Sequence, residues 1–276
     1  MPTKSSRTAG PFVYRSAWLW LALVAAFPSP MAHGREPSPE AAAIPVHYTE
    51  GMVHGFLELT TEAGALLAHG DLLQVAKDRG MSSRMVFHFG KESVFEETVT
   101  YTQRGVFTME TYHLVQSGPA FADDLDASLT RSGSYIIKAK SHKDGHERLL
   151  TGTMKLPPDV YNGMVITVAK NISVKNTTTV HIVAFTPDPH IIKLELEPSG
   201  TQRVLLGRHE ETAVRFAIKP RLEGFLLLGA KLTGKVPPDS HVWIVEDDVP
   251  AFVRSEGPLY SGPVWRIALA SPGWPR

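Results

Sequence analysis

The sequence predicts a mainly β protein, built as a single strongly curved antiparallel sheet or half-open barrel with one central helix. Two observations lead there. Short runs rich in apolar and β-branched residues follow one another along most of the chain, and the first of them are joined by connectors of two to four residues that contain glycine. Connectors this short join antiparallel neighbours, because a parallel crossover needs about a dozen residues or more. A third observation fixes the period. Ile192, Leu194 and Leu196 alternate with Lys193, Glu195 and Glu197, so one face is dry and the other wet.

Taken in order, Val53–Thr60, Leu66–Val75, Met81–Phe89, Ser93–Gln103 and Val106–Gln116 read as a meander. Its connectors are Glu62-Ala63-Gly64, Lys77-Asp78-Arg79-Gly80, Gly90-Lys91-Glu92 and Arg104-Gly105. Ser134–Ser141 and Glu147–Lys155 form a hairpin about His142-Lys143-Asp144-Gly145, where Asp-Gly is the turn signal. After Leu156-Pro157-Pro158, Asp159 suits an N-cap, and Val160, Met164 and Val168 share a helical face, so a helix is expected over 160–171. Strands resume at Thr177–Thr186 and Ile191–Pro198, on either side of a Pro187-Asp188-Pro189 turn. Gln202–Leu206, Thr212–Lys219, Phe225–Leu232, His241–Val245, Ala251–Ser255 and Val264–Leu269 complete the set. No long linker divides the chain, so 52–271 is read as one domain, with a short tail at 272–276.

The first 34 residues read as an export signal: Lys4, Arg7 and Arg15, then the apolar run Ala17–Phe27, then Pro28-Ser29-Pro30 and the small residues Ala32 and Gly34. The apolar run covers roughly 16 Å, too short for a hydrocarbon core of about 30 Å. Cleavage after Gly34 is expected, leaving a Pro-, Glu- and Ala-rich leader at 35–51 and an exported, periplasmic or secreted bacterial protein. The 276-residue chain has 28 basic and 28 acidic side chains and no cysteine, which excludes disulfides, thiolate metal sites and a cysteine nucleophile. Balanced charge argues against a nucleic-acid partner.

Chemistry is weakly marked. His54, His69, His88 and His113 fall on successive strands without the spacing of a metal site, and His209-Glu210-Glu211 lacks the second histidine of a zincin helix. Glu96 and Glu97 point to opposite faces of one strand. Asp123, Asp124 and Asp126, and the trio Glu246-Asp247-Asp248, are expected in turns. No nucleophile elbow, phosphate loop or dinucleotide fingerprint occurs, so no cofactor is expected. Trp243, Phe252, Tyr260 and Trp265 cluster near the C-terminus as candidate walls of an apolar ligand pocket, against the plainer alternative of filling a sheet core.

Three segments carry a resemblance: Gly70–Val75 with Arg84–Phe89, the Pro-Pro-Asp-Val-Tyr-Asn-Gly-Met stretch at 157–164, and His241–Ile244 through Pro250–Arg254. In them the chain resembles exported bacterial β-proteins of unknown function, which are similar in layout to the lipoprotein-carrier half-barrels of the cell envelope. The resemblance implies a curved sheet whose concave side holds a hydrophobic guest, and it implies no catalytic residues. The expectation is therefore a non-enzymatic exported protein that binds a lipid-like or apolar ligand, or an envelope partner, on that face. The alternative is a hydrolase of envelope or extracellular substrates acting through Asp123, Glu246 and the strand histidines.

Overall fold

The computed structural model describes residues 42–185, 188–206, 208–221 and 238–270. The expected signal, residues 35–41 of the leader, the run Phe225–Leu232, Pro187 and the tail lie outside the described residues.

A first meander comprises β1 (Val53–Thr61), β2 (Leu66–Lys77), β3 (Gly80–Phe89), β4 (Ser93–Arg104), β5 (Val106–Ser117), β6 (Asp123–Thr130), β7 (Ser134–Ser141) and β8 (Glu147–Thr153). A crossover at 154–177, containing the helix α1 (Val165–Ala169), leads to the second: β9 (Thr178–Ala184), β10 (His190–Leu206), β11 (His209–Arg221), β12 (Ser240–Val245), β13 (Ala251–Gly257) and β14 (Trp265–Leu269). Because β14 pairs antiparallel with β1, the two meanders merge, among the described residues, into one 14-stranded sheet that runs from β8 at one edge to β9 at the other.

The sheet is open, yet its edges approach each other. Arg148 on β8 lies 3.7 Å from Asp188, just before β10. Strands at opposite ends of a 14-strand order meet this way only if the sheet bends through most of a turn. Register breaks at Leu59/Thr60, Thr100/Tyr101, Pro198/Thr201 and Trp243/Ile244 supply local bends, as bulges do.

Period-two alternation sends one side chain set inward. Leu57, Leu59, Phe87, Phe95, Leu114, Leu129, Leu196 and Phe216 are each at most 2 % exposed and belong to one hydrophobic cluster. Burying each is worth about 1.5–3 kcal/mol. The outward set is polar and stitched across strands: Arg84 with Glu96 on β3–β4, Asp126 with His113 and Lys138 on β5–β7, and Arg221 with Glu195 on β10–β11.

The crossover fills much of the concave side. Val160, Tyr161, Met164 and Val168 are at most 1 % exposed and join the same cluster. The helix is shorter than the sequence predicts. Val160 is spent on a parallel bridge to His181 of β9, and Gly163 adopts φ +70°, so helical geometry begins only at Val165. A second correction concerns Asp123, Asp124 and Asp126, which lie on strand β6 and not in a turn. Leu125, Ala127 and Leu129 alternate inward there, while Asp126 faces outward to His113 and Lys138. The described part of the leader is pinned to the sheet: the Phe107 amide donates to the Ile44 carbonyl, and the Val46 amide to that of Gly105, both at 2.9 Å.

Candidate functional site

At one end of the concave side a cavity of about 550 Å³ remains beside the crossover. Three stretches distant in sequence build it. Strands β11 and β12 contribute Phe216 and Ile244 from their inward faces. The helix end and the chain after it contribute Ala169 through Lys175, and the β12–β13 turn contributes Glu246, Asp247 and Pro250. Ile172 and Val174 give its walls apolar surface over the buried Phe216, Ile244 and Ala169, the polar Tyr48, Lys170, Asn171 and Ser173 line it as well, and His47, Lys175, Glu246 and Asp247 stand exposed at the rim. That volume falls within the range of small-molecule sites, although more of the lining that solvent reaches is polar than apolar.

The wall nearest the leader is held by buried polar groups. Asn171, 3 % exposed, accepts the His47 and Tyr48 amides on Oδ1 at 2.9 and 2.7 Å, and its Nδ2 donates to the Thr167 carbonyl at 3.0 Å. Lys170 forms an ion pair with Glu50, a contact in which both side chains are largely buried. Gln74 donates to both Glu50 Oε2 and the Gly51 carbonyl, and Tyr101 donates to Gln74 Oε1. These bonds tie the end of α1 to the leader along one wall of the cavity.

A further inward polar group lies on β4. Glu97 faces the concave side, opposite to Glu96, as strand geometry requires. Tyr112 of β5 donates to Glu97 Oε1 at 2.7 Å. Burial pushes the Glu97 carboxyl above the ordinary range, and the Tyr112 bond opposes that shift. The Tyr112 ring stacks on Phe185 at 5.9 Å, and Phe185 on Tyr260 at 6.3 Å. The Phe185 amide donates to the Tyr260 hydroxyl at 2.7 Å. Sequence reasoning separated Glu96 from Glu97 but had no signal for which of the two turned inward.

The four aromatic residues named from sequence do not converge. Phe252, Tyr260 and Trp265 pack on the main cluster, with Trp265 5.5 Å from Phe89. Trp243 lies on the opposite face with Ala213 and Val245, and its indole donates to Gln202 Oε1 at 2.9 Å. None of the four lines the 550 Å³ cavity. The lining residues Phe216 and Ile244 carry no local motif; only the strand order brings them beside residues 169–175.

The acid and base candidates are dispersed as well. Glu246 lines the first cavity, whereas His69 and His88, opposite each other on β2 and β3, line a second of about 390 Å³ together with Asp71. His54 Nε2 lies 3.1 Å from Asp71, and His113 Nε2 lies 2.8 Å from Asp126. Asp123 lines neither cavity. Among the described residues no three or more His, Asp or Glu are placed to hold a metal ion, and no helix is long and apolar enough to cross a membrane.

Comparison with known proteins finds no matching family model, no matching curated protein and no matching solved structure.

Proposed function

We propose that this chain is an exported binding protein, similar in layout to envelope lipoprotein carriers, that holds an amphipathic guest with an apolar body on the concave side of its sheet. One observation carries the reading: the cavity of about 550 Å³ with Ile172 and Val174 in its walls and both signs of charge at its rim. An acyl chain or fused-ring body meets the walls, and its polar end meets Lys175, Glu246 and Asp247. The wall that Lys170 and Asn171 tie to the leader supports this, because a site that needs less ordering loses less free energy on binding.

The hydrolase reading requires Asp123, Glu246 and the histidines in one pocket, and their dispersal favours binding over it. The test is to purify the chain from an exporting bacterium, extract it with organic solvent and analyse the extract by mass spectrometry. A near-stoichiometric lipid or other apolar compound is expected. A clean extract, together with hydrolysis of an envelope substrate that is lost in Glu246→Gln, would overturn the proposal in favour of the alternative.

A further inference from the structure

On the other face of the sheet, one nitrogen of the Arg254 guanidinium has no hydrogen-bond partner among the described residues. Strand register sets Arg215, Trp243 and Arg254 in one row across β11, β12 and β13. Arg254 Cζ sits 4.1 Å over the Trp243 ring, within cation–π range. Trp243 is itself 3 % exposed and anchored to Gln202, so the platform is fixed. Arg254 Nε is buried and has no hydrogen-bond partner among the described residues.

The local charges explain why. Glu256 Oε1 stands 3.5 Å from Arg254 Nε, but the same oxygen accepts a 2.9 Å hydrogen bond from Arg266 Nε. Two guanidiniums therefore share one carboxylate. Arg215 adds a third positive charge to the face, and its bonds go to the Ser199 hydroxyl and carbonyl, both neutral. Along the Arg254 row the next strand offers Ala268, and the carboxylate of Glu58 lies beyond it on β1. Burial, with Arg266 reinforcing it against the pull of Glu256, lowers the Arg254 pKa from its ordinary value, the direction expected of an undercompensated cation.

Elsewhere the chain completes such groups. Arg84 makes two bonds to Glu96, at 2.8 and 2.7 Å, and Arg221 makes two to Glu195. A buried donor without a partner calls for an explanation, and the rest of the Arg254 side chain, 27 % exposed, can be reached from solvent. An anion with coplanar or tetrahedral oxygens suits the exposed part of this group, because a stacked guanidinium keeps its donors in a plane that two such oxygens can meet at once.

We infer that Arg254, stacked on Trp243 and flanked by Arg266, is the centre of an oxyanion-binding site for a phosphate group. The excess of positive charge favours a doubly charged phosphate over a carboxylate. The phosphate comes either free in solution or as an ester headgroup.

The test titrates the full chain with inorganic phosphate against sodium chloride at matched ionic strength, following tryptophan fluorescence and Tm. A saturable phosphate response is expected, at least tenfold weaker in Arg254→Gln and weaker also in Arg254→Lys, which keeps the charge but loses the planar fork. Should Arg254→Gln fail to fold, Arg266→Gln is measured in its place with the same expectation. Co-sedimentation with phosphatidic acid vesicles, tighter than inorganic phosphate and lost in the variant, assigns the source to a headgroup; phosphate binding without vesicle binding assigns it to the free ion. A response equal to that of chloride, or one unchanged in the variants, overturns the inference.

Discussion

The crossover on the concave side and the arginine patch on the outer face both bury polar groups, and they treat them oppositely. In the crossover each such group is answered. The Asn162 side chain donates to the Val183 carbonyl and accepts the Val183 amide, both at 2.8 Å, extending the pairing of β9 by one side chain. Tyr161 accepts the Ile44 amide at 2.8 Å and donates to the Phe107 carbonyl at 3.2 Å. Asp159, 1 % exposed, holds His181 Nδ1 at 2.9 Å from both carboxylate oxygens. Arg254, on the other face, has a buried nitrogen with no hydrogen-bond partner among the described residues. Groups that hold the fold together are saturated by the fold, whereas Arg254 keeps one donor that the described residues do not answer.

Removing partners from the saturated region should therefore be costly. The largest effect is expected for His181→Ala, which strands the buried Asp159 carboxylate; urea unfolding should show a loss of about 3–5 kcal/mol. Asn162→Ala leaves the Val183 amide and carbonyl open at the β9 edge, with an expected loss of about 2–3 kcal/mol. Gly163→Ala comes next. Gly163 has φ +70°, and an added Cβ would stand 3.2 Å from Val99 Cβ and from the Tyr112 ring. Strain of this kind costs about 1–3 kcal/mol.

Glu97 sharpens the comparison, since it is inward yet only partly answered by Tyr112. Its folded pKa is raised, so the stability it contributes is full below the ordinary carboxylate pKa of about 4.3 and declines as pH rises through the folded value. Urea midpoints from pH 4 to pH 8 should show that decline, and Glu97→Gln should flatten it. The smallest effect belongs to the exposed pair Arg221–Glu195 on β10–β11, where Arg221→Gln should cost less than about 1 kcal/mol.

These regions also differ in how far they could be read from sequence. The hairpins from β1 to β5 were legible because each closes locally through glycine turns, and β10 because its alternation is unbroken from Ile192 to Glu197. Strand β6 was not, since three aspartates outweigh Leu125, Ala127 and Leu129 in any local reading; the partners of Asp126, His113 and Lys138, sit on neighbouring strands. The start of the helix was hidden in the same way, because the bridge from Val160 to His181 depends on where β9 lies. Trp243 was singled out from sequence, but as part of an aromatic group. Its actual neighbour, Arg254, faces it only through hairpin register, and the cavity walls depend on β11 and β12 closing over the crossover.

The cavity is the account's central claim, and titration with an apolar fluorescent probe such as N-phenyl-1-naphthylamine tests it most directly. Val174 lines the cavity and is half-buried. The parent chain should bind the probe saturably, and Val174→Trp, which fills the space, should bind at least tenfold more weakly with an unchanged Tm. Equal binding by both chains, or no saturable binding by the parent after solvent extraction and refolding, would contradict the account.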